Sequence, residues 1–133
     1  MENYKIAVVG IVEYNKEVLI GKKVKKESHE MSDEWHIPGG KVEDREKPED
    51  AIIREISEEA GIESRVIRVI DSIVKHEKKV RVIWYLCEAL SNNLIPGDDL
   101  VDAKFVDKKE LRNLCGPNAI SLWPEKVKEY FNH

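Results

Sequence analysis

Apolar residues along this chain recur with two different spacings, and the switches between them outline its elements. Residues 4–14 (YKIAVVGIVEY) are an almost continuous apolar run and predict a mostly buried strand. Asn15-Lys16 supplies a turn, and residues 17–24 (EVLIGKKV) return as the hairpin partner. Residues 25–33 are polar and irregular, which predicts an exposed loop. Glu34-Trp-His-Ile-Pro-Gly-Gly follows as a short extended piece ending in a turn. The spacing then becomes helical over residues 48–60, with Gly61 placed for a left-handed stop. Pro48 suits the first turn, and Glu49 and Asp50 suit its positive end. Lys47 would be the N-cap, a poor one because it carries no acceptor. Residues 64–75 and 79–90, rich in Val, Ile, Trp and Tyr, predict a second hairpin, longer and more buried than the first. A loop over residues 92–99 leads to a short strand at 103–106, and Asp107 caps a short helix. After Gly116-Pro117, either Asn118 caps a final helix or Pro124 marks its true start.

At roughly 100° per residue, Ile52, Ile53, Ile56 and Ala60 form the core-facing stripe of the 48–60 helix. Glu55, Glu58 and Glu59 fall on a separate arc. Glu55 and Glu59 are an unfavourable like-charge pair at i,i+4, and Arg54 lies beside Glu58 on the wheel, with Glu46 within reach across the preceding loop. One arginine cannot neutralise this cluster, whereas a divalent cation could. All-oxygen ligands favour Mg²⁺ or Mn²⁺, and Mg²⁺ commonly completes its shell with water and substrate phosphates. On this evidence alone a solvated acidic face remains the commoner outcome for such a charge run.

Composition narrows the field. The 133 residues are one domain's worth, 41% hydrophobic and 36% charged, with a net charge of −4. Near-balanced charge argues against bulk nucleic-acid binding, which needs a dominant basic surface. Lys22, Lys23, Lys25 and Lys26 form the one strong basic cluster, enough for a small phosphate ligand. Cys87 and Cys115 lack metal-site spacing and suggest a reducing cytoplasm. No apolar run reaches membrane-spanning length, and the first residues lack a signal-peptide core.

The spacing from Gly40 decides between the metal patch and the solvated face. Gly40, five residues, Glu46, seven residues, then Arg54-Glu-Ile-Ser-Glu-Glu-Ala-Gly-Ile62 fills every specified position of the Nudix box. The chain therefore resembles the Nudix hydrolase family. Trp35-His-Ile-Pro-Gly-Gly-Lys-Val-Glu and Gly97-Asp-Asp-Leu-Val-Asp-Ala-Lys-Phe-Val are similar to the family's segments before and after the box. Lys47 and Phe105 depart from the residues common in the family. The resemblance implies an α+β, α-β-α sandwich: a mixed, curved β-sheet between the motif helix and a C-terminal helix, as one domain over residues 1–133. It implies divalent-metal hydrolysis of a nucleoside diphosphate linked to another group. Glu55, Glu58, Glu59 and the Gly39 carbonyl would be metal ligands, with Arg54 orienting the carboxylates and Glu46 pairing with it. A general base would come from Glu55 or from the downstream loop, where Asp99 and Asp102 stand in suitable positions with Asp98 behind them.

Substrate markers are weaker. The proline of many ADP-ribose pyrophosphatases is replaced by His76 and Glu77, and the tyrosine of diadenosine-polyphosphate hydrolases by Lys78 and Lys79. By exclusion the chain looks most like a MutT-type nucleoside triphosphate pyrophosphohydrolase acting on (d)NTPs or 8-oxo-dGTP. An ADP-ribose or nucleotide-sugar pyrophosphatase is the alternative, and a non-catalytic nucleotide sensor the third. Lys23 or Lys25 would meet the phosphates, Asn118 resembles a base-reading asparagine, and Trp35 or Trp84 would stack on a base, with Trp84 better suited to the core. Partners would be a small nucleotide and, through exposed strand edges, a second copy of the chain.

Overall fold

The computed structural model describes residues 3–23, 35–97, 100–115 and 117–132. Side chains of Lys23, Val101, Asn118 and Ala119 fall outside that description, as do the predicted loop at residues 25–33, Asp98 and Asp99. Among the described residues seven strands form one mixed sheet: β1 (Lys5–Tyr14), β2 (Glu17–Lys23), β3 (Trp35–His36), β4 (Gly39–Lys41), β5 (Ser64–Lys75), β6 (Val80–Ala89) and β7 (Leu100–Val106). The helices are α1 (Pro48–Ala60), α2 (Lys108–Leu114), α3 (Pro117–Ser121) and α4 (Glu125–Phe131).

β1 is the organising strand. One edge pairs in parallel with β6 from Lys5↔Val80 to Glu13↔Glu88. Its other edge changes partner: Glu13 and Tyr14 pair with β2, whereas Ala7, Val8 and Val9 pair with β4. β2 likewise leaves β1 and pairs with β3 at Gly21 and Lys22, while its far edge carries β7. The segment from Trp35 to Lys41 therefore bridges an opening in the sheet. Gly39 and Gly40, expected as a turn, are strand residues because β1 offers them hydrogen-bonding partners that β2 has vacated.

Strand alternation sends apolar side chains to two cores, one on each face. Val8, Val12, Leu19, Ile83, Tyr85 and Cys87 pack against Ile52 and Ile56 of α1. Ile11, Val18, Ile20, Trp84 and Leu86 pack against Leu111, Val127 and Phe131 of α2 and α4. Full burial of Ile52 and Ile56 contributes on the order of 2–3 kcal/mol each and fixes the rotation of α1. The buried stripe is Ala51, Ile52, Ile56 and Ala60; Ile53, predicted to be within it, is only half-buried and lines an outer recess with Leu90. The sandwich architecture expected from the resemblance is the one found.

Local chemistry explains most boundaries. Asn15 (φ 48°) and Lys16 (φ 68°) make a two-residue turn with both centres left-handed, the twist a tight hairpin needs. α1 starts at Pro48 behind Lys47, whose side chain makes no capping bond, and ends at Gly61 with φ 69°. Asp107 accepts a hydrogen bond from the Glu110 backbone N–H and caps α2.

Two further expectations need correction, and one open alternative is decided. β5 spans the predicted residues 64–75 but is less buried than expected: it is a sheet edge, with Ile67 and Val69 about half exposed and two register shifts along β6. β7 starts at Leu100, ahead of the predicted 103, because β2 extends far enough to pair with it. Of the two predicted starts for the final helix, Pro124 is the one found: α4 begins after it, its extended backbone suiting an N-cap, whereas Asn118 lies within α3.

Candidate active site

The site is assembled from the exposed side of α1, the β4 strand beneath it and the opening in the sheet. Arg54 is its electrostatic centre. Its Nε and Nη2 donate to the two Glu46 oxygens at 2.8 and 3.0 Å, a two-pronged pairing that suits a planar guanidinium. Nη2 also donates to the Lys41 carbonyl at 3.1 Å, tying α1 to β4. Nη1 donates to Glu55 Oε1 at 3.0 Å and to both Glu58 oxygens at 3.2 and 3.3 Å. Every N–H of the group is thereby engaged. Lysine, with one ammonium, could not reproduce this pattern.

Glu55 reaches the site through a space that only glycine leaves open. A Cβ at Gly40 would collide with the Glu55 carboxyl, so β4 passes directly under that group. Glu55 and Glu46 share the same arginine yet are pushed in opposite directions. Burial raises the Glu55 pKa, with Glu58 and Glu46 adding repulsion against the attraction of Arg54. Hydrogen bonds from Arg54, and then from the Glu43 backbone N–H at 3.1 Å, hold the Glu46 carboxyl below the usual range. Glu58 is mostly exposed and Glu59 half-buried.

Among the described residues, no three His, Cys, Asp or Glu side chains already converge on one point as a metal cage. Glu55 and Glu58 both accept from Arg54 Nη1, which offsets part of their mutual repulsion. The donor chemistry fits a hard divalent cation nonetheless: every candidate ligand is an oxygen, and Gly40 leaves room for Glu55.

Beside this cluster lies a cleft of about 380 Å³ where the sheet opens. Val8, Leu19, Ile20, Ile37 and Leu100 give it an aliphatic wall, with His36, Lys41 and Glu59 as the polar groups. Gly39 also lines it, paired with Val9 of β1. Trp35 does not line it: the indole joins the core on the α4 face, with Lys104 Nζ 4.8 Å from the ring centre. Trp84 is buried in that same core. Asp102 is exposed, with its carboxylate accepting from the Ala103 backbone N–H at 2.8 Å. Lys23 ends β2 and Asn118 is in α3, but neither side chain is described, and Lys25 and Asp99 lie outside the described residues. His36 and Lys41 were missed in the sequence. Strand alternation was the available signal, since placing Trp35 in a core puts His36 on the opposite side.

The loop after β6 closes the far end of the site. Its Ile95 and Gly97 N–H groups donate to the Ala60 and Glu59 carbonyls, both at 2.8 Å. These are the carbonyls an α-helix leaves unpaired at its last turn.

A mixed sheet between two helical layers, with a glutamate-rich helix held by one arginine over a glycine strand, is the arrangement of the Nudix fold. The NUDIX domain model matches residues 4–129, and the chain belongs to that family. An ADP-ribose pyrophosphatase of Methanocaldococcus jannaschii is 29% identical over 114 residues, covering 83% of this chain and 66% of that protein. An 8-oxo-dGTP diphosphatase of Proteus vulgaris is 34% identical over 62 residues, 45% of this chain and 55% of the other. The matched segments thus span less than two thirds of these relatives. A NUDIX hydrolase from Nitrosomonas europaea shares the fold with a TM-score of 0.82 at 20% identity, over 99% of this chain and 72% of that one. A MutT NUDIX hydrolase from Burkholderia pseudomallei does so with a TM-score of 0.67 at 20% identity, over 81% and 86%. No helix among the described residues is long and apolar enough to cross a membrane.

Proposed function

We propose that the protein hydrolyses a phosphoanhydride bond in a nucleoside diphosphate linked to a further group, with Mg²⁺ or Mn²⁺ as cofactor. The observation that carries this reading is the Glu55 carboxyl, seated against Gly40 and steered by Arg54, beside a ligand-sized cleft that Gly40 and Glu59 line. Glu55, Glu58, Glu59 and the Gly39 carbonyl would hold the metal, which when bound offsets phosphate charge and acidifies water. Arg54 orients Glu55 and Glu58, and Glu46 fixes Arg54 in turn. Glu55, its pKa raised by burial, is the better placed of the two Arg54-linked inner carboxylates to take a proton from water. Asp99, the residue before Leu100 in the sequence, is the second candidate base. The aliphatic cleft would take the nucleoside, with Lys41 near the phosphates and His36 contacting the polar edge of the ligand.

Within this class we favour a (deoxy)nucleoside triphosphate, 8-oxo-dGTP included, released as the monophosphate and pyrophosphate. The cleft lies at the small end of the range for ligand pockets, which suits one nucleoside better than two linked ones. Lys23, Lys25 and Asn118 would supply further contacts to phosphates and base. ADP-ribose hydrolysis is the second reading, favoured by the relative from Methanocaldococcus jannaschii, whose match extends well beyond the motif. A Mg²⁺-dependent panel of dNTPs, 8-oxo-dGTP, ADP-ribose, Ap₄A and NADH, resolved by chromatography, tests both. Pyrophosphate from triphosphates supports the first, and AMP with ribose phosphate supports the second. Tight binding without turnover of any member would replace both with a sensor.

A further inference from the structure

The cleft has one wall that is set by a contact between two strands. Gly21 of β2 and Leu100 of β7 both line it, and they touch. A Cβ built on Gly21 would lie 2.7 Å from Leu100 Cδ1 and 3.2 Å from Cδ2, well inside ordinary contact. The missing side chain at position 21 is therefore the space into which Leu100 folds. Gly21 has no positive φ, so backbone conformation does not demand glycine there; the packing of Leu100 does.

Leu100 is also tied to the catalytic helix. Its N–H donates to the Gly97 carbonyl at 3.0 Å, and the Gly97 N–H donates to the Glu59 carbonyl at 2.8 Å. Register along β2 shifts between Lys22 and Lys23, where Lys23 pairs with Leu100. Such an irregularity turns a side chain off the normal alternation. Leu100 thus sits at a fixed place relative to α1, and with Ala103 it is the part of the wall contributed by β7.

We infer that Leu100, seated on Gly21, is a specificity-determining residue that sets how large a base the cleft admits. This rests on the proposal that the cleft holds the nucleoside. Leu100→Ala removes the wall and enlarges the cleft. Gly21→Ala adds a methyl group to the same wall and displaces Leu100, which narrows it. The two substitutions act in opposite directions on one quantity, the discrimination between a large and a small base.

The test compares kcat/KM for dGTP and dCTP, or for the ADP- and CDP-linked counterparts if the panel identifies a diphosphate substrate. Leu100→Ala should shift the ratio toward the purine by about tenfold or more, the range expected for aliphatic volume changes in an apolar pocket. Gly21→Ala should shift it toward the pyrimidine by a similar factor. Thermal melts of both variants separate loss of fold from loss of selectivity, because an unfolding variant loses activity on both bases together. Ratios within twofold of wild type in both folded variants overturn the assignment of Leu100 while leaving the proposed function standing. If the wild type hydrolyses no nucleotide of either kind, the proposed function falls, and this assignment falls with it.

Discussion

A methyl group at position 40 separates the site from the fold that carries it. The backbone of Gly40 pairs with Val8 and is not left-handed, so alanine is allowed there on conformational grounds. The new Cβ would lie 2.6 Å from Glu55 Oε2 and nearer still to the carbon of that carboxyl, where ordinary contact starts at 3.4 Å. The carboxyl must retreat by about 1 Å, and a displacement of that size at a reacting centre costs on the order of 100-fold in rate. Stability changes far less. Losing the 3.0 Å bond from Arg54 Nη1 costs about 1 kcal/mol after allowance for partial exposure, since Arg54 keeps Glu46 and Lys41. Replacing glycine at a permitted position returns about 0.4–1 kcal/mol by restricting the unfolded chain. Gly40→Ala should therefore melt within about 3 °C of wild type while kcat falls about 100-fold on the best substrate of the panel. Initial rates at saturating Mg²⁺ and a thermal melt on the same preparation suffice. A variant that keeps kcat within threefold would refute the claim that β4 positions the Glu55 carboxyl.

Glu58→Gln should lower kcat by at least 100-fold, the usual effect of removing a key charged group, and turnover near the wild-type value would undo the metal-ligand assignment. Arg54→Lys keeps the charge but cannot bind Glu46, Lys41 and Glu55 together; a fall in kcat of about tenfold or more with a Tm lowered by several degrees is expected, and steady-state rates with calorimetry decide it. Burial pushes the Cys87 thiol up to about 12 and, with the Glu49 charge nearby, the Tyr85 hydroxyl to about 12. Both pKa values are raised on folding, so their contribution is complete below about pH 9 and is lost as pH rises toward 12. Melting temperature should fall across that window, less steeply in Cys87→Ala, and an equal slope in the two proteins would contradict the burial argument. The same burial predicts that a thiol reagent at pH 8 leaves Cys87 unmodified until the chain unfolds.

The helix and its charges were legible because both are local. Pro48 and Gly61 mark the ends of α1, and spacing alone placed Arg54 beside Glu58. What the chain did not disclose was non-local. Whether Gly39 and Gly40 turn or extend depends on β1 having an edge vacated by β2. Apolar composition could not reveal that β5 lies at an edge, because Ile67 and Val69 look the same in a central strand. Asn118 and Pro124 competed for one helix start, and two short helices resolved the competition. For the ligand-facing groups, the sequence singled out Trp35, whereas the cleft is lined by its neighbour His36. A shift of one residue along a strand exchanges faces, so such an assignment turns on packing that lies elsewhere in the chain.

The transfer of β1 from β2 to β4 has a consequence for how the cleft can change over time. Ala7, Val8 and Val9 keep strand partners on both sides even where the sheet opens, so the cleft floor carries no backbone debt. Its aliphatic side chains can then be exchanged one at a time without stranding polar groups in the interior. A lineage could retune the ligand by drift at the lining while the helix above, bound by one arginine, stays fixed. Room to vary the ligand becomes a property of strand pairing, set before any particular ligand is chosen.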